Sequence, residues 1–168
     1  MKTFKIKAAL AAGLAHKLRT LDAQIVADTC KVDVVKAIRA NIGVADKLNE
    51  ANAHFMAATL ETETKKRAVW QPLQDKYNAE SASLSTEEKG KIASELTAEY
   101  NKLAAEIQKE STAKPDEEVA VSLSDEDYND VLMPIFKKTV QLWDLSGDGS
   151  GQMVFLSVAN ALESAQDS

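Results

Sequence analysis

Apolar and polar positions alternate with two different periods along this chain, and the switches between them mark out its elements. Near the N-terminus Phe4 and Ile6 are interleaved with Thr3, Lys5 and Lys7. That period of two places alternate side chains on opposite faces of a strand. Residues 8–21 change period: Leu10, Leu14, Leu18 and Leu21 recur at intervals of four, four and three, which is one face of a helix. Residues 22–31 carry no clear period, and a break is expected between 28 and 32. From there Val35, Ile38, Ile42, Ala45 and Leu48 step by three and four, and the series runs on through Asn52, Phe55 and Thr59. This is close to a heptad seam, with Asp33 just ahead of it as an N-cap. The helical pattern extends through Trp70 and Leu73 to Tyr77, with Pro72 inside it. Proline removes a backbone donor and clashes with the preceding turn, so a kink or the first turn of a separate helix is expected there.

Residues 79–85 read as a polar turn. Ser85-Thr86-Glu87-Glu88 then forms a capping-box sequence that opens a second arm, striped by Ile92, Leu96, Tyr100, Leu103 and Ile107. Two long arms joined by a short polar turn make an αα-hairpin, here over residues 33–110. Past Pro115, Val119, Val121 and Leu123 return to the strand period, and this strand is expected to pair with residues 3–7. Ser124 caps a helix whose core face is Tyr128, Val131, Leu132, Ile135 and Leu142, with Pro134 as an irregularity. A glycine-serine turn at 146–151 precedes a last helix over 153–165, with Val154, Val158, Ala161 and Leu162 on one face. The expected architecture is mainly α. It is a single domain, 1–168, in which a long antiparallel hairpin (33–110) projects from a small base. Residues 1–32 and 111–168 form that base, with a short two-stranded β element and C-terminal helices.

Composition narrows the function more than the fold. Of 168 residues 45% are apolar but only 5% aromatic, which favours Ala/Leu helix packing over a sandwich or barrel. Twenty Lys and Arg face 26 Asp and Glu, for a net charge of −6. No nucleic-acid partner is expected, because phosphate binding needs a dense positive face. No membrane partner is expected either: no apolar run approaches the ~18 residues of a spanning helix. The run Ala8–Ala15 is short, broken by Gly13 and ended by His16-Lys17, unlike a secretory signal. Cys30 is the one cysteine, so no intrachain disulfide forms.

Candidate chemistry is sparse. Asp144, Ser146, Asp148 and Gly149 match the first half of a calcium-binding EF-hand loop, but Phe155 stands where the bidentate glutamate belongs. The solvated-turn reading is therefore preferred. His16 and His54 have no ligand-type residue at the spacing a zinc site needs, and no phosphate-loop, dinucleotide or nucleophile-elbow motif occurs. No catalytic residue, metal ligand or cofactor is assigned, and the chain is read as a non-enzyme. Trp70 is expected to pack across the hairpin near Pro72; with Tyr77 it is also the candidate partner contact, on a narrow stripe that leaves side chains partly open. Trp143 is expected in the core, and the charge run 61–67 on a solvated helix face.

The order of elements resembles that of small accessory proteins of tailed bacteriophages. The resemblance is carried by Phe4-Lys5-Ile6-Lys7, then the arms through Ile38-Arg39-Ala40-Asn41-Ile42 and Leu103-Ala104-Ala105-Glu106-Ile107. The acidic strand Glu117-Glu118-Val119-Ala120-Val121 and the capped Leu123-Ser124-Asp125-Glu126 complete it. It implies a phage protein working through contacts, in the host cytoplasm or the virion, and carries over no functional residue. The partner is expected to be another protein or a second copy of the chain, giving an oligomer with a structural or assembly role. The alternative is counter-defence, by blocking a host immune protein or by sequestering a signalling nucleotide. A sequestering protein needs cationic clamps, and Arg19, Lys36, Arg39 and Lys47 are the nearest candidates. Beyond a nucleotide of that kind, nothing points to a small-molecule ligand.

Overall fold

The computed structural model describes residues 1–139, 142 and 151–167. In chain order the elements are β1 (Lys2–Lys7), α1 (Ala8–Thr20), α2 (Ala23–Cys30), α3 (Val34–Ala51), α4 (Ala53–Ser81), α5 (Thr86–Glu110) and β2 (Glu118–Leu123). A π-helix (Asp127–Leu132) leads into α6 (Met133–Lys138), and α7 (Gly151–Glu163) and β3 (Gln166–Asp167) close the chain. The protein is mainly α, with long helices, a small antiparallel sheet and C-terminal helices, as its periodicities require.

The chain divides into two compact units, Met1–Met56 with Lys114–Ser168, and Ala57–Ala113. In the first, β1 pairs antiparallel with β2, aligning Phe4 with Val121 and Ile6 with Val119. All four side chains therefore fall on one face, the period-two consequence anticipated above. The short β3 joins the other edge of β1, giving the order β2-β1-β3. That face packs into a core with Leu14 and Leu18 of α1, Val44 and Leu48 of α3, Leu132 and Phe136, and Val158 and Leu162 of α7. Several of these side chains are fully buried, each contributing roughly 2 kcal/mol of transfer free energy.

Local chemistry sets where the helices start. Lys7, before α1, offers no side-chain cap; the free N–H groups of Ala8 and Ala9 donate instead to the carbonyls of Glu117 (2.8 Å) and Pro115 (3.1 Å). Asp22 caps α2 by accepting from the N–H groups of Gln24 and Ile25, and Asp33 caps α3 by accepting from Lys36. Between them Lys31 adopts a left-handed conformation, φ 56°, which ends α2 at the break expected near 28–32.

Two expectations need correction. The hairpin does not begin at residue 33. Helix α3 packs on α1, α2 and β2 within the first unit, and Asn52 interrupts the helix with φ −108° and ψ 9°. The hairpin unit is Ala57–Ala113. The heptad-like seam matches the buried face of α3 only in its second half, at Ala45 and Leu48. Ala37, Asn41, Val44, Ala45 and Leu48 are buried, whereas Val35, Ile38 and Ile42 are exposed.

In the second unit α4 and α5 run antiparallel. Thr62 Oγ1 meets Ser111 Oγ at 2.6 Å, Lys66 Nζ donates to Gln108 at 2.8 Å, and Trp70 packs edge-on against Tyr100 with centroids 5.0 Å apart. Helix α4 continues through Pro72 to Ser81. Ser85 and Glu88 form the reciprocal capping box that starts α5. Within residues 61–67 Thr62 is buried against the second arm, while Glu61, Glu63, Lys65 and Arg67 are exposed, with Glu61–Lys65 and Glu63–Lys66 ion pairs. Among the described residues, no helix is long and apolar enough to cross a membrane.

Candidate functional site

A groove of about 380 Å³ lies in the first unit. One wall is the α2–α3 turn, with Cys30, Lys31 and Val32, continued by Lys36 and Ala40 of α3. The other is the π-helix and the start of α6, with Glu126, Asn129, Asp130, Val131, Pro134 and Lys138. Pro134 explains the second wall: it sits in the first turn of α6 and has no N–H to return to the turn before it. The Met133 N–H instead reaches back five residues to the carbonyl of Tyr128, the wider π-type bond. The irregularity foreseen at Pro134 is thus a widened turn on a groove wall.

The groove mixes charges. Lys31, Lys36 and Lys138 are cationic and Glu126 and Asp130 anionic, and all five are exposed. Among the described residues none of them forms an ion pair. Burial pushes the Cys30 thiol up, Asp130 pushes it the same way, and Lys138 opposes them. A raised thiol pKa is the opposite of what a nucleophilic cysteine requires.

Trp70 and Tyr77 come together in the hairpin unit around a hollow of about 110 Å³, with Leu73, Ala93, Leu96 and Thr97. Trp70 packs on Tyr100 across the hairpin, as expected, and keeps 37% of its surface exposed. One of the four proposed cationic clamps lines the first unit's groove. Arg19 pairs with Asp46 and Lys47 with Glu50, while Lys36 lines the groove without Arg39. His16 and His54 are exposed on α1 and α4. Trp143 and the Asp144–Gly149 turn lie outside the described residues; Phe155 stacks on Phe136 with centroids 4.4 Å apart.

Sequence reasoning missed Lys31, Asp130 and Lys138 as neighbours. The available signals were the break near residue 31 and Pro134, each noted separately; nothing in the local pattern shows that the two face one another. Comparison with family models, curated proteins and solved structures finds no match for this chain.

Proposed function

We propose that this chain is a non-enzymatic phage protein that works through protein–protein contacts and self-associates in a structural or assembly role. One observation carries the contact reading. Val35, Ile38 and Ile42, spaced three and four apart, form an apolar stripe on the outer side of α3, exposed to 57%, 37% and 43%. Helical spacing with no partner in the monomer is what an association surface looks like before it is covered. The phage setting rests on the pattern resemblance alone.

The test is the mass of the purified chain by size-exclusion chromatography with light scattering. A discrete multiple of 18.2 kDa is expected. Ile38→Glu with Ile42→Glu should return it to one chain's mass with an unchanged circular dichroism spectrum, because both positions are exposed. A wild-type mass of one chain would sink self-association and leave a different protein, such as a host immune factor, as the partner to seek.

A further inference from the structure

We infer that the groove between the α2–α3 turn and the π-helix binds a small zwitterionic molecule, an acid and an amine joined by a short aliphatic body. Its volume of about 380 Å³ falls in the range of small-ligand cavities. The charges select the class. With three ammonium groups and two carboxylates the lining is close to neutral, so it does not favour a strongly anionic ligand. No aromatic side chain lines it, so a nucleotide base finds nothing to stack on.

A ligand carrying both signs meets both sets of groups. Its anionic end is taken by Lys31, Lys36 and Lys138, and its ammonium by Glu126 and Asp130, none of which is spent on an ion pair among the described residues. Val32, Ala40, Val131 and Pro134 supply apolar surface for the body between. Two backbone features fix the walls. Lys31 is held left-handed, a conformation that non-glycine residues seldom adopt. The turn through Asn129 and Asp130 is one donor short because of Pro134, leaving it able to accept from a ligand ammonium.

The test is a titration of the ¹⁵N-labelled full chain with 6-aminohexanoate, followed by amide shifts. Resonances of Cys30, Lys31, Asn129 and Asp130 should move together and saturate by about 10 mM. Hexanoate and hexylamine, each keeping one charge, should bind about tenfold more weakly or worse. Lys36→Ala with Lys138→Ala should weaken 6-aminohexanoate similarly while restoring no affinity for hexylamine, and Asp130→Asn should reduce the advantage over hexanoate. These positions are exposed, so the variants should fold, as the unshifted remainder of each spectrum will show. Groove amides that stay still at that concentration, or equal binding of all three compounds, would overturn the proposal. So would identical affinities for wild type and variants.

Discussion

The Tyr128 hydroxyl donates a 2.6 Å hydrogen bond to the carbonyl oxygen of Leu162, thirty-four residues away. It ties the π-helix to α7 across the core, at a carbonyl in the last turn of α7 that also accepts from the Ala165 N–H at 3.0 Å. Tyr128 also lies against Phe4, ring centroids 6.4 Å apart. Tyr128→Phe keeps the ring and removes the donor. It should destabilise the first unit by about 1 kcal/mol, read from the urea midpoint at unchanged slope.

Asn41 performs the same service for α1. Its Nδ2 donates to the Leu18 carbonyl at 2.6 Å, so α3 caps the C-terminal turn of α1 from outside. Asn41 is buried. Asn41→Leu should cost about 2 kcal/mol by stranding that carbonyl, although it adds apolar volume. Equal or greater stability in chemical denaturation would show the bond to be dispensable.

Trp70 packs across the hairpin unit, whose buried side chains in α4 and α5 are few: Ala58, Thr62, Leu73, Ser81 and Leu96. Trp70→Ala should cost about 2 kcal/mol, and Trp70→Phe much less, because the edge contact with Tyr100 survives in part. Amide exchange should accelerate within residues 57–113 and leave β1 and β2 protected.

Acid should weaken the start of α5. Bonds from the Ser85 hydroxyl and backbone N–H hold the Glu88 carboxyl below the usual glutamate range. A depressed folded value means the stabilisation is present above the unfolded value of about 4.3 and is lost as pH falls below it. Exchange of the amides at 86–89 should therefore quicken below that pH relative to the intrinsic rate. Glu88→Gln should flatten the dependence.

Cys30 reports on the groove. Its thiol is raised by burial first and by Asp130 second, and lowered by Lys138. Asp130→Asn should bring the pKa down and speed alkylation by iodoacetamide near pH 8, whereas Lys138→Ala should slow it. The pH–rate profile of alkylation checks both signs.

Much of the local structure was legible because local chemistry sets it. The capping box at Ser85 and Glu88, the Asp33 cap and the strand alternation of Phe4 and Ile6 with Val119 and Val121 need only neighbouring residues and one in-register partner. Pro134 announced a disturbance for the same reason. The groove was not legible: its walls are a turn at 29–32 and a helix a hundred residues later, and no local signal states that they meet.

Helix α3 draws the line most clearly. Its sequence determined that it is a helix with two apolar faces about a third of a turn apart, one through Val35, Ile38 and Ile42 and one through Ala37, Val44 and Leu48. Hydrophobicity favoured the first, the larger side chains. Tertiary structure buried the second. Ala37 and Ala45 are buried against close-packed neighbours, and Asn41 meets the α1 carbonyl. Which face is covered is a property of the surfaces that arrive to cover it. The sequence by itself therefore determined most of the elements, the caps at Asp33 and Ser85 and the pairing of the two longer strands. The assembled fold alone decided which stripe became core, where the hairpin unit begins and which charges share a groove.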